Sequence, residues 1–145
     1  MASNALETGL IALIFNNTNL ANIGDATGLR GSTTAGSLYV SLHTADPGEG
    51  GSQNTNEAAY TSYARVAIAR SGAGFTCSTD TASNTAAASF PLCTGGSAAC
   101  THFGVGTALS GAGVLLGSAP LDSSLTVTNG ITPVFAIGAL KAIAV

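Results

Sequence analysis

The chain opens on apolar residues at helical spacing and then changes to alternation. Leu6, Leu10, Leu13 and Ile14 fall on one side of a 3.6-residue period. Asn4 predicts an N-cap, with Glu7 three residues later returning the bond as in a capping box. The Asn-rich stretch 16–22 weakens any continuation, and Gly24 is a natural stop. The pattern therefore predicts a helical segment within residues 1–24. Its apolar face docks on the chain's own core or on an adjacent subunit.

From Leu38 the period becomes two. Leu38, Val40 and Leu42 alternate with Tyr39, Ser41 and His43, as a half-buried strand requires. Ala45-Asp46-Pro47-Gly48 predicts a turn, with Pro presetting one backbone angle and Gly relieving the next. Glu49 to Tyr63 is polar and rich in Gly, Ser and Asn, which predicts a long exposed loop over 45–63. Short strands are then expected over 65–70, 75–77, 85–90, 101–106, 114–118, 125–128, 131–137 and 139–145. Asn129-Gly130 is the strongest hairpin signal in the sequence. Many short strands at roughly ten-residue spacing indicate a sandwich or barrel, not a parallel α/β sheet. The expected architecture is mainly β: one domain over 1–145, a jelly-roll-like antiparallel β-sandwich with an N-terminal helix.

Composition changes this picture in one respect. Charged residues are 8% of the chain while hydrophobic residues are 46%, against about 25% charged in an average soluble domain. The deficit is filled by Gly, Ala, Ser, Thr and Asn. A free monomer normally keeps a charged surface, so a neutral one suits a protein whose faces are covered by neighbours. The net charge of −3 and four scattered basic residues leave no footprint for nucleic acid. No apolar run approaches the roughly 20 residues that span a bilayer, and the first apolar stretch has no basic region ahead of it. The reading is a chain made in the cytoplasm, with no membrane and no nucleic-acid partner. Cys77, Cys93 and Cys100 fit no zinc or redox spacing and are expected as free thiols.

Catalytic patterns do not emerge. A phosphate loop needs a Lys that Gly104 to Gly117 lacks, and Gly104 and Gly106 are followed by Leu109 where a dinucleotide fingerprint needs Gly. His43 and His102 lie in no nucleophile motif, and the acids form no glycosidase-like pair. Asp46, Glu49 and Glu57 do not match a calcium loop. The expectation is no enzyme, no catalytic residue, no cofactor and no metal.

A resemblance supplies the setting. Residues 38–49, Leu-Tyr-Val-Ser-Leu-His-Thr-Ala-Asp-Pro-Gly-Glu, resemble the signature of a group of small phage structural proteins. The likeness continues through Thr55-Asn56-Glu57, Tyr60 and Tyr63-Ala64-Arg65-Val66. It resumes at Thr101-His102-Phe103-Gly104-Val105-Gly106 and Asn129-Gly130-Ile131-Thr132-Pro133. The chain departs from the group at its end, where Lys141 to Val145 replaces a usually acidic strand. Such proteins are often labelled tail-fibre proteins and also resemble the capsid cement, or decoration, proteins of some short-tailed phages. The resemblance implies a jelly roll. It also implies a virion protein on the outer surface of the capsid, bridging capsomers. The partners would be the major capsid protein and further copies of the chain, a dimer before a trimer. A tail-fibre or tail-tip adhesion component is the alternative.

The interface is expected in two regions. One is the helix face of Leu6, Leu10 and Leu13. The other is the 45–63 loop, with Asp46, Glu49 and Glu57 steering docking and Tyr60 and Tyr63 supplying contact area. Arg65 is read instead as half of an ion pair inside the subunit.

Overall fold

A computed structural model describes residues 1–144. The order of elements is α1 (Asn4–Asn16), β1 (Ser37–His43), β2 (Val66–Ala69), β3 (Phe75–Ser78), β4 (Thr81–Asn84), β5 (Ala88–Ser89), β6 (Ser97–Gly106), β7 (Leu115–Thr128), β8 (Val134–Phe135) and β9 (Lys141–Ile143). The strands form sheets in the orders β2-β1-β6-β7, β3-β4-β9 and β5-β8. The expected mainly β class, antiparallel pairing and N-terminal helix are all present. The chain divides into two compact units where the sequence suggested one domain. The first takes in 1–37, 68–88 and 135–145, the second 38–67 and 89–134. Every crossing between them falls inside a strand: β1, β2, β5 or β8.

In the first unit, α1 packs on β3 and β4. Its N-cap is Ser3, whose hydroxyl accepts from the Leu6 amide at 3.3 Å, one residue before the Asn4 that the sequence suggested. It ends at Asn17, not at Gly24, because Asn17 takes the left-handed conformation (φ 56°) and returns its amide to the Ala12 carbonyl. The inward residues are Ile11 and Phe15, one helical turn apart. Phe15 meets Phe75 edge-on, with ring centroids 5.0 Å apart. Residues 10–15 are apolar on every side, so spacing alone could not fix which face turns inward. Leu6 is exposed, and Leu10 and Leu13 are only half-buried.

Two polar side chains close this unit. Arg70 donates from Nε to the Ile14 carbonyl at 2.7 Å, and through Nη2 to that of Leu13 at 2.8 Å. It thus places a cation on the carbonyl end of a helix that has no basic residue in its last turn. Arg70→Ala is expected to lower stability by about 1–2 kcal/mol. Chemical denaturation measures this, Arg70→Lys should recover only part of the loss, and an unchanged midpoint for Arg70→Ala would contradict it. Asn84 is buried and fully bonded. Its amide nitrogen donates to the carbonyls of Ala86 and Ala136, and its oxygen accepts from the Leu140 amide at 3.0 Å. That bonding ends β4 at Asn84, and of the strand expected over 85–90 only the two-residue β5 forms.

In the second unit, β1 and β6 pair antiparallel from Tyr39↔Gly106 to His43↔His102. β7 pairs on the far side of β6 and forms the sheet edge. The strands expected at 114–118 and 125–128 are one long strand with two irregularities. One is at Leu116; the other leaves 121–124 opposite Thr101 alone. Asn129-Gly130 does turn the chain, with the Ile131 amide bonded to the Thr128 carbonyl at 3.0 Å. It does not make a hairpin. A type I′ turn needs positive φ at both central residues, and only Gly130 has one. β8 accordingly pairs with β5. The core holds Leu38, Val40, Leu42, Ala58, Tyr60, Phe90, Cys93, Cys100 and Val127. Cys77, Cys93 and Cys100 are all free thiols.

Candidate functional site

The segment read as a long exposed loop is held by its own packing. Pro47, Gln53, Ala58 and Tyr60 are buried within it, and its backbone pairs with β1 through Thr44 to Asn56 and Ala58 to Leu42. Three of the five interface residues expected there turn inward. Tyr60 is 3% exposed, and its hydroxyl donates to the Pro91 carbonyl at 3.0 Å; burial raises its pKa to about 12. Tyr63 lies edge-on to Tyr60 and stacks on Phe90. Its hydroxyl donates to Glu57 at 2.9 Å and accepts from the Leu42 amide at 3.1 Å. Glu57 is half-buried in a two-pronged pair with Arg65, at 2.6 Å to Nε and 2.8 Å to Nη2. The carboxylate also holds the Arg65 pKa up. Glu57, Tyr60 and Tyr63, expected as contact residues, thus spend their polar groups inside the chain, with Tyr60 buried and Glu57 and Tyr63 half-buried. The polar look of the segment misleads because its countercharge, Arg65, lies in the flank of the next strand.

Arg65 also reaches outward along the chain. Its Nη1 donates to the Ala108 carbonyl at 2.8 Å and its Nη2 to that of Gly111 at 2.6 Å. Gln53, fully buried, works from the other side: its carbonyl oxygen accepts from the Ala108 amide at 2.8 Å, and its amide donates to the Tyr39 carbonyl at 3.2 Å. Two buried side chains thus fix the β6–β7 connection over 107–114. This connection and the residues next to it show Leu109, Val114 and Leu116 to solvent, 59%, 61% and 45% exposed. Buried polar groups normally have their bonds met; here those bonds tie down a loop that carries large exposed apolar side chains. The glycines of 104–106 follow from the same packing. A Cβ on Gly106 would collide with the Gln53 side chain, and one on Gly104 would come within 2.8 Å of His43 Nε2. Sequence reasoning missed Gln53, Arg70 and Asn84, because isolated polar residues carry no periodicity.

His43 is the other buried polar residue of the signature stretch. Its Nδ1 donates to the Thr55 carbonyl at 2.8 Å, which leaves Nε2 to accept from the Ser41 hydroxyl at 2.8 Å. Both side chains are fully buried, so this pair is packed where no substrate reaches it. Burial lowers the His43 pKa below its ordinary 6.5. Between the folded and unfolded values, the unfolded chain binds the more protons. Stability is therefore complete above pH ~6.5, falls as pH drops from there toward the folded value, and levels off below it. Denaturation midpoints at pH 7.5 and 5.5 should differ in this sense, and His43→Gln should flatten the difference. An equal slope in that variant would contradict the assignment.

Two of the expected interface acids do stand at the surface. Asp46 is exposed, with Oδ1 accepting from the Gly48 amide at 2.9 Å, and Glu49 is exposed beside it. They form one wall of an open groove of about 430 Å³. The other wall is β7, through Leu115 to Ser118 and Pro120. Among the described residues neither carboxylate has a cationic partner. The surface of this unit therefore combines an acidic turn, a sheet edge and a fixed apolar loop. Among the described residues there is no cluster of metal ligands, and no helix is long and apolar enough to cross a membrane.

No curated protein sequence matches the chain. The family model described as Podophage GP4 fiber I protein gp80 matches residues 1–143, almost the whole length. The chain belongs to this family of phage fibre proteins and is a structural component of the virion.

Proposed function

We propose that the protein is a non-enzymatic subunit of a tail fibre of a short-tailed phage, built to pack against further copies and neighbouring fibre proteins. The family match over 1–143 carries this reading. It favours the tail-fibre alternative over the capsid cement function that the signature motifs first suggested. Two physical features support it. The chain has 8% charged residues, and its exposed apolar side chains are held on a loop that buried bonds make rigid. A preformed apolar surface loses little freedom on binding, so more of its contact energy appears as affinity. Leu6 on the first helix, with Asp46 and Glu49 on the second unit, remains accessible for such contacts. The test is the copy number per virion, from quantitative densitometry of purified particles against the major shell protein. A fibre subunit should be far less abundant than the shell protein. Stoichiometry equal to that of the shell protein would overturn the reading and restore the cement function, with the major capsid protein as partner.

A further inference from the structure

We infer that the groove between the 46–49 turn and β7 receives strand β9 of a second copy, so that copies join head to tail. The inference takes the fibre reading as its setting, but the contact itself is a property of the isolated protein.

Both walls of the groove specify an occupant. β7 is the last strand of its sheet, and an edge strand carries unpaired backbone donors and acceptors. Pro120 and the 121–124 irregularity interrupt that edge at one end and the Leu116 bulge at the other, leaving Gly117 to Ala119 as its regular stretch. The opposite wall carries Asp46 and Glu49 without a cation. The occupant must therefore be an extended segment that can add to a sheet edge and bring a basic side chain.

The chain itself contains such a segment. Of its four basic residues, Arg65 is spent on Glu57 and Arg70 on the end of α1. Arg30 lies outside the strands. Lys141 lies on β9, which is itself the edge of the β3-β4-β9 sheet and, among the described residues, pairs with β4 alone. Lys141 and Ile143 share the outward face of that strand, with Ala142 turned in. Ile143 is 56% exposed, and Lys141 has no acidic partner among the described residues. One surface thus offers acid, a free edge and exposed Leu116; the other offers base, a free edge and exposed Ile143. The two patches are different, so the contact is heterologous. Such a contact propagates as an open filament or closes as a ring, whereas a self-complementary patch stops at a dimer.

Sedimentation velocity of the whole chain over a concentration and salt series tests this. The parent should self-associate, and salt should weaken the association. Lys141→Glu and Glu49→Lys, both at exposed positions, should each weaken it roughly tenfold or more, because like charges then face each other. The double variant Lys141→Glu, Glu49→Lys should recover most of the loss. Circular dichroism checks that each variant is folded. A parent that stays monomeric at every attainable concentration would overturn the inference. So would association that neither single change weakens, or a double variant no better than the singles. None of these results bears on the copy number in virions, so this contact and the fibre reading fail separately.

Discussion

Replacing Arg65 by Ala should destabilise the second unit by about 3–5 kcal/mol, the usual cost of removing one partner from a buried ion pair. The side chain is 2% exposed and holds Glu57 with two donors. Its removal leaves a half-buried carboxylate whose one remaining side-chain donor among the described residues is Tyr63. The carbonyls of Ala108 and Gly111 also lose their donor, so the loop carrying Leu109 loosens. Arg65→Lys should recover little, since an ammonium cannot supply the fork that meets both carboxylate oxygens and two carbonyls. Equilibrium denaturation gives the size, and amide exchange over 107–114 gives the local part. A loss under 1 kcal/mol with unchanged exchange would show that the pair carries little of the fold.

Phe15→Ala should cost about 3–5 kcal/mol, in the first unit. Phe15 is 6% exposed, closes the docked face of α1 and meets Phe75 edge to face. A helix this short has little stability without tertiary packing, so the cavity should release α1 and expose β3 and β4. Amide exchange should rise over 4–16, 75–78 and 81–84 while β1 and β6 stay protected. Uniform loss of protection would show that the two units unfold as one, and unchanged stability would show that Phe15 does not anchor the helix.

The two variants probe what was legible in the sequence and what was not. β1 was legible because its alternation is clean and its neighbours are turns: Ser37–His43 lies where Leu38, Val40 and Leu42 placed it. The helix was legible in existence but not in face, since an unbroken apolar run has no phase until Phe15 finds Phe75. The long β7 was read as two pieces because Pro120 and the residues after it resemble a turn, while the ladder to β6 resumes beyond the bulge. Asn129-Gly130 carried the right local signal for a turn. The partner of the next strand, however, is set by tertiary pairing with β5, which a dipeptide cannot encode.

The candidate surface was legible only in part. Asp46 and Glu49 are where a polar Pro-Gly turn should put them. Glu57, Tyr60 and Tyr63 lie in the same kind of sequence, yet they are drawn inside by a cation and an aromatic ring, Arg65 and Phe90, that sit later in the chain. Exposure of Leu109 and Val114 was equally invisible. Large aliphatic residues between strands read as strand continuation, and only the bonds from Gln53 and Arg65 show that this connection is held outward.

Reconstruction of the intact virion with this chain traced in the density tests the central claim most directly. The fibre assignment predicts that both units fit density in the fibres attached at the tail, with β7 and the 107–114 loop against neighbouring protein. Density for the chain distributed over the head lattice, and absent from the fibres, would contradict it.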